Sequence, residues 1–358
     1  MKTERTLFAD AYLVVHTVSP AQQGQRLDSF LKKVDSHRSR ERIKKDIRSG
    51  KIEIKRPDSS LSIGKIRPST LLQAGDEIHL RSEKKAEPPV SFDYKVLYED
   101  ENLFVIDKPA HLPVHPAGGF FFHTLLVHLK TKGFTEPFRP EREFFLVHRI
   151  DKETSGVLIL TKDKESCAHL TEQFTTRKTK KKYLAITHGI PKEKQFSVDA
   201  RIGKDPFSKI RLKMRTIPTN DPHYSSEWTA LTDFNVLSEH TIESEKFSLI
   251  ECFPKTGRQH QIRLHLAHIG HPIVGDKLYS LKDEDAIRFY ERPHFNEEES
   301  NDPFDDVQIQ KRLILPRQAL HAAAISFIHP KTKKEVYFES PLPKDLHFFL
   351  EGRIAIQR

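Results

Sequence analysis

The pair Pro88-Pro89 constrains this chain more than any other feature. Proline has no amide hydrogen and a fixed φ, so two in succession enter neither a helix interior nor a sheet ladder. They close the charged run RSEKKAEPPVSF, residues 81 to 92, which is the clearest shift of composition in the chain. A linker is expected at 84–91, with a small piece before it and a large piece, 92–358, behind it. With 358 residues, 37 % of them apolar, the chain can fill more than one core. No internal repeat or low-complexity tract interrupts it.

Ahead of the linker, QRLDSFLKKV (25–34) places Leu27, Phe30, Leu31 and Val34 at helical spacing. Ser39 to Ser49 forms a second helical stretch, with Ile43 and Ile47 on one side. Arg42, Lys45 and Arg48 recur every three residues on the other, which groups them on one face. Gly50 stops the helix. KIEIK then alternates as a short strand, and GDEIHL reads as a closing strand. Residues 1–23 read as an extension in front of this 24–83 domain. Periodicity alone does not distinguish a phosphate-binding face from a solvated one.

Behind the linker, strand-like and helix-like pieces do not alternate regularly, so an α+β domain with a mixed sheet is expected rather than a doubly wound one. YKVLYEDENLFVIDKP gives two apolar stretches around a turn at Glu99 to Asn102. GVLILTKD is short enough for a buried strand, and Cys167, Leu170 and Phe174 follow at helical spacing. KKYLAIT and FSLIECFP read as strands, and QIRLHLAHIG as a helix reached through a turn at Gly257. Residues 281–307 carry Glu297, Glu298, Glu299, Asp302, Asp305 and Asp306 with Pro293 and Pro303, and are expected to form an exposed acidic insertion.

A formal charge of +9 favours a polyanionic partner but specifies none. Cys167 and Cys252 are too few for a disulfide framework and form no Cys-x-x-Cys pair, which fits a reducing compartment. No segment approaches the roughly 20 apolar residues of a membrane span. The first residues, MKTERTLFADAYLVVH, carry charges where a secretory signal needs an apolar run. A cytoplasmic location is expected.

Two segments carry chemistry. In HRIDKETSGVLILTKD, Asp151 sits on a turn before a buried strand, between Arg149 and Lys152. Nearby cations keep a carboxylate ionised, and an ionised carboxylate in a partly dry pocket can serve as nucleophile or base. Local chemistry by itself favours the plainer reading, a turn cap paired with an arginine. In CFPKTGRQHQIRLHLAHIGHPIVGD, Arg258 and Arg263 flank the start of a helix, where either can pair bidentately with a carboxylate or clamp a phosphate. His265 and His268 lie three apart, but no Cys or carboxylate cluster completes a zinc signature, so no metal site is expected. In KKKYLAITHG, Tyr183 is a ring that could stack on a base, although an ordinary strand tyrosine looks the same.

Taken together, these blocks resemble the RluA-type RNA pseudouridine synthases over nearly the whole chain. His148-Arg149-Ile150-Asp151-x-x-Thr154-Ser155-Gly156 is similar to the catalytic block. Lys182-x-x-Ala185 with Tyr183 is similar to the tyrosine block, and Thr256-Gly257-Arg258-Gln259-His260-Gln261-Ile262-Arg263 to the arginine block. YEDENLFVIDKPAHLPVHP, GHPIVGD and LHAAAISFIHP…FESPLP match the flanks. Asp107 and His111 depart from the usual Asn-Lys-Pro-Ala-Gly, and Ile150 replaces the commoner Leu. Residues 24 to 81 resemble the small RNA-binding domain named after ribosomal small-subunit protein S-four, departing from it at KRPDSSLSIGKIRPS.

The resemblance implies isomerisation of uridine: the C1′–N1 bond breaks, the base turns, and C5 joins C1′, with no cofactor. It implies Asp151 as the essential carboxylate, Arg263 as its partner with Arg258 as second choice, and Tyr183 stacked on the uracil and near the C5 proton. Arg149, Arg258, His260 and Lys182 would contact RNA around a flipped-out uridine, and Arg42, Lys45 and Arg48 would add backbone contacts from the front domain. A monomer acting on ribosomal or transfer RNA is expected. Two rivals are an RNA binder without activity and an N-glycosidic hydrolase, which commonly needs a second carboxylate.

Overall fold

The computed structural model describes residues 2–7, 11–34, 39–57, 66–83, 87–117, 119–131, 143–218, 221, 229–290 and 306–354. The chain folds into two compact units, Met1–Ala86 and Glu87–Arg358.

The first unit contains β1 (Lys2–Leu7), β2 (Ala11–Thr17), α1 (Leu27–Val34), α2 (Arg40–Arg48), β3 (Ile52–Lys55) and β4 (Glu77–Glu83). Its sheet has the order β1-β2-β4-β3, all antiparallel. Both helices bury one face: Leu27, Phe30 and Leu31 from α1 meet Ile43 and Ile47 from α2 over Ile54 and Ile78. Ser39 caps α2 by accepting the Arg42 amide at 3.1 Å, which fixes where the basic face begins. Residues 1–23, expected as an extension, instead supply two strands of this sheet. β2 pairs along its whole length with β4, so the unit starts near residue 2 rather than 24. The middle of the KRPDSSLSIGKIRPS segment, residues 58–65, lies outside the described residues.

The second unit is built on one large mixed sheet. In chain order come β5 (Lys95–Glu99), β6 (Leu103–Lys108), α3 (Leu125–Thr131), β7 (Phe145–Leu146), β8 (Ser155–Thr161) and α4 (Lys164–Thr175). Then follow β9 (Lys180–His188), β10 (Gln195–Asp199), β11 (Arg201–Lys204), β12 (Met214–Ile217), β13 (Leu231–Ile242), β14 (Glu245–Pro254) and α5 (Gln261–His268). The chain continues through α6 (Asp283–Ala286), α7 (Val307–Leu313), β15 (Leu320–Ile328), β16 (Glu335–Glu339) and α8 (Lys344–Leu350).

The sheet order is β10-β13-β14-β9-β15-β8-β6-β5, with β16 also on β15 and β7 also on β8. Its neighbours are antiparallel except β15 and β8, which run parallel. β8 is buried at all seven positions because apolar groups cover both of its faces, which is why its sequence is a continuous apolar run instead of an alternation. An α+β fold with a mixed sheet is what these strands form.

Two glycines let backbone segments approach closely, one of them between the central strands β8 and β15. Gly156 has φ +109°, and a Cβ there would stand 2.2 Å from the Ala322 carbonyl oxygen. Gly275 has φ +77°, and its Cβ would stand 1.9 Å from the Arg317 carbonyl oxygen. Only glycine fits at either point.

The stretch expected as an exposed insertion, 281–307, is partly core. Leu281 and Ala286 pack with Leu278, Ile309 and Leu313, because α6 turns Ala286 and α7 turns Ile309 and Leu313 inward. Glu297, Glu298, Glu299, Asp302, Asp305, Pro293 and Pro303 lie outside the described residues, as do 84–86 of the linker. Asp306 is described, and caps α7 through the Gln308 and Ile309 amides. Among the described residues no helix is long and apolar enough to cross a membrane.

Candidate active site

Asp151 lies on the turn that leads into β8, closed by the Thr154 amide donating to the Asp151 carbonyl at 3.1 Å. Arg263 projects from the first turn of α5. Its Nη1 donates to Asp151 Oδ2 at 2.8 Å, while Nε and Nη2 donate to Asp276 at 2.7 and 2.8 Å. Asp276 has no exposed surface and also accepts the Leu278 and Tyr279 amides. Arg263 is 5 % exposed, whereas the Asp151 side chain keeps 33 % of its surface. One carboxylate therefore anchors the guanidinium in the core, and the other receives its remaining edge at the mouth of a cleft.

The charge of Asp151 follows from this. Burial alone pushes its pKa up, but the charges of His260 and Arg263 and the hydrogen bonds from Arg263 and Gln318 outweigh that and hold it at about 2. Gln318 Nε2 approaches Asp151 Oδ2 at 3.3 Å and Thr154 Oγ1 at 2.6 Å. The carboxylate is ionised at any physiological pH.

Lys181, Tyr183, Thr256, Arg258, His260 and Leu320 line the same cleft, which offers about 120 Å³. Tyr183 is on β9, opposite Cys252 of β14 and Ala322 of β15. Burial, then the charge of Asp151, pushes its hydroxyl well above the ordinary tyrosine pKa. It stays a neutral phenol, which suits a stacking ring better than a resting base.

The loop before α5 is held from behind by Gln261. Its Oε1 accepts the Thr256 hydroxyl at 2.7 Å and the Arg258 amide at 3.0 Å, and its Nε2 donates to the Leu231 carbonyl and Thr232 hydroxyl. His260 caps the helix in a left-handed conformation, φ 56°. Its Nδ1 meets the Tyr279 hydroxyl at 2.9 Å, and the Tyr279 ring lies 5.2 Å from the Arg263 guanidinium. Burial, followed by the charge of Arg263, lowers the His260 pKa to about 4, so its ring is neutral at pH 7.

Arg149 and Arg258 also line the cleft. Arg149 pairs with His115 Nε2, and Arg258 Nε donates to the Thr229 carbonyl at 3.2 Å. The guanidinium on Asp151 is thus that of Arg263, not Arg258. Lys182 departs from expectation. Strand alternation turns it away from Tyr183, and it faces Glu251 at 3.8 Å. Lys181 takes the place at the cleft wall, its ammonium donating to the Thr256 carbonyl at 3.2 Å and its pKa lowered by burial and by Arg177 to about 8. In the first unit, Arg42, Lys45 and Arg48 line a shallow depression on α2, with Arg42 paired to Asp46 at 3.0 Å.

Several supporting residues received no role from the sequence. Asp276 and Gln318 bracket the Arg263–Asp151 pair. Glu153 accepts Lys277 Nζ at 2.6 Å and the Gln318 amide at 3.2 Å, joining the Asp151 turn to the Asp276 loop. Lys108 is fully buried and donates to the carbonyls of Pro109, Leu112 and Lys152; burial lowers its pKa to about 7. Three of the four stand in blocks that matched the family flanks or the catalytic block, but a match does not say what a side chain touches. The two carboxylates nearest Asp151 in this network, Glu153 and Asp276, are both held by cations, so neither is placed as the free acid that glycosidic hydrolysis commonly requires. Among the described residues no three His, Cys, Asp or Glu side chains are grouped so that they could hold a metal.

A family model described as RNA pseudouridylate synthase matches residues 102–268, a span containing Asp151, Tyr183 and Arg263. Ribosomal large subunit pseudouridine synthase C of Buchnera aphidicola subsp. Schizaphis graminum is 32 % identical over 337 residues, covering 90 % of this chain and 91 % of that one. Ribosomal large subunit pseudouridine synthase D of Pseudomonas aeruginosa is 31 % identical over 330 residues, covering 91 % of each. Among solved structures, human RNA pseudouridylate synthase domain containing 4 superposes with a TM-score of 0.52 at 26 % identity, covering 74 % of this chain and 94 % of that one.

Proposed function

The chain belongs to the RNA pseudouridylate synthase family and is an isomerase acting on RNA, and we propose that its substrate is ribosomal RNA, modified in the cytoplasm by a monomer with Asp151 as the reacting carboxylate. The observation that carries this reading is the 2.8 Å contact between Arg263 and an Asp151 that keeps a third of its surface open. An ionised oxygen so placed can add to C1′, add to C6, or remove a sugar proton; each route begins from the same charged carboxylate.

The uridine reaches the cleft only when flipped out of its stack, at a cost of a few kcal/mol. Tyr183 stacks on the uracil and keeps it near Asp151 while it turns. Arg149, beside the reacting residue, fills the vacated space or holds a phosphate, and Lys181 and Arg258 supply further cations at the wall. His260, neutral, offers hydrogen bonds without charge. The first unit serves as the S-four-like module, with Arg42, Lys45 and Arg48 on phosphates. The choice of ribosomal RNA is supported by the names of the relatives in Buchnera and Pseudomonas.

Pseudouridine mapping in a strain lacking the gene tests the assignment. Loss of one or more sites in ribosomal RNA, restored by the parent gene and not by Asp151→Asn, is expected. Loss confined to transfer RNA would overturn the ribosomal assignment, and no loss in either would overturn both.

A further inference from the structure

Between β10 and β13, the chain makes a hairpin from β11 and β12, with Arg201 opposite Ile217 and Lys204 opposite Met214. Residues 201–217 carry six cations, Arg201, Lys204, Lys209, Arg211, Lys213 and Arg215, against a single carboxylate, Asp205. The inner side of its loop is fixed. Ile210 is buried against Leu278, Leu281 and Ala286, Lys213 pairs with Asp283, and Asp205 accepts the Phe207 amide at 3.0 Å. On the outer side Phe207 is 76 % exposed and Leu212 50 % exposed. The Arg215 guanidinium lies 5.1 Å from the Phe207 ring centre, on one face. Lys209 and Arg211 are exposed and form no ion pair among the described residues.

The hairpin also touches the catalytic cleft. The Met214 amide donates to the Tyr279 hydroxyl at 3.2 Å, the same hydroxyl that meets His260. Thr216 reaches His268 of α5 at 3.3 Å. A bulky aromatic ring held outward on a pinned loop, in a hairpin whose Met214 reaches the cleft residue His260 through Tyr279, gains nothing for the fold by its exposure. Of the six cations, Lys213 and Arg215 are paired with Asp283 and Asp221. The exposed Lys209 and Arg211 can attract a polyanion, and a flat ring beside cations matches an unpaired stretch of nucleic acid, where bases stack and phosphates seek charge.

We propose that the β11–β12 hairpin is a second RNA contact, in which an unpaired base near the target uridine stacks on Phe207 while Lys209 and Arg211 hold adjacent phosphates. This rests on the RNA reading above and adds to it a determinant for single-stranded sequence flanking the modified position.

The test uses the full chain, with Phe207→Ala, Phe207→Trp and the double variant Lys209→Ala/Arg211→Ala. The probe is a fluorescein-labelled RNA stem-loop with an all-uridine loop, followed by anisotropy at several salt concentrations. Phe207→Ala is expected to raise Kd by about 5- to 150-fold without changing the salt slope, and Phe207→Trp to restore binding. The double variant should reduce the slope of log K against log salt by roughly 0.7 per lost contact. Thermal melting controls for folding.

Parent-like Kd in Phe207→Ala and a parent-like slope in the double variant would overturn the proposal, leaving a protein partner as the occupant to seek. Tritium release by the parent from ribosomal RNA labelled at C5 reads the other assignment separately. A parent inactive on ribosomal RNA whose stem-loop binding still depends on Phe207 would overturn the ribosomal substrate and leave the hairpin contact standing.

Discussion

Arg263 meets Asp151 with a single nitrogen, Nη1, because Asp276 already holds the other two at 2.7 and 2.8 Å. The guanidinium is aimed by the buried carboxylate and donates its remaining nitrogen to the exposed one.

If Asp151 is the reacting group, Asp151→Asn keeps the shape of the turn and removes the charge that every route requires. Modification should fall by about 10³-fold or more, as for other enzymes that lose the reacting residue. The RNA Kd should stay close to the parent value. Single-turnover tritium release and anisotropy measure the two separately, and activity near the parent's would remove Asp151 from its role.

The pH dependence has a definite sign. A carboxylate held at about 2 against an ordinary 3.8 adds stability that is present above pH 3.8 and lost as pH falls through about 2. Catalysis should therefore show no acid limb from Asp151 above pH 5. In Arg263→Lys a point charge replaces the fork and cannot serve both carboxylates. Burial then acts on Asp151 with less opposition, and the acid limb of kcat/KM should rise by about 1 pH unit or more. An unmoved limb would mean that Arg263 does not set the ionisation.

Asp276→Asn leaves Arg263 in the core with only one anionic partner. The expected loss is about 3 kcal/mol in urea unfolding, with m unchanged. Stability within experimental error of the parent would show that Asp151 and the backbone suffice to hold the guanidinium.

Glu153→Gln weakens the tie between the Asp151 turn and the Asp276 loop, while Glu153 lies outside the cleft lining. If Asp151 is the reacting group, its displacement should appear in kcat, by roughly 10-fold or more, with KM little changed. Glu153→Asp should recover part of the loss. Equal changes in kcat and KM would point to substrate binding instead.

What the sequence made legible, and what it hid, divides along physical lines. β9, β14, α4 and α5 could be read because their apolar residues follow a pattern of their own, and β8 because it is one unbroken apolar run. β1 could not: KTERTL has one apolar residue, and it becomes a strand by pairing with β2. Asp151, Tyr183 and Arg263 were recognisable as blocks in a fixed order, although each alone looked like an ordinary turn, strand or helix residue. Spacing within the tyrosine block points to Lys182, and only the register of β9 shows that Lys181 shares the cleft wall with Tyr183. Asp276, Gln318 and Glu153 were hidden because their partners lie 13 to 167 residues away. No local periodicity carries that information.

The parallel pairing of β8 with β15 sets the moment at which this enzyme comes into being. Ser155 bonds to His321 across 166 residues, and Gln318, just before β15, completes the surroundings of Asp151. Contacts of such sequence separation form late and slowly. A ribosome that has translated α5 but not yet β15 carries a chain that has Asp151 and Arg263 but not Gln318 beside them. Competence arrives only with the C-terminal strands, so truncated products should fail to modify RNA even where their first unit has folded.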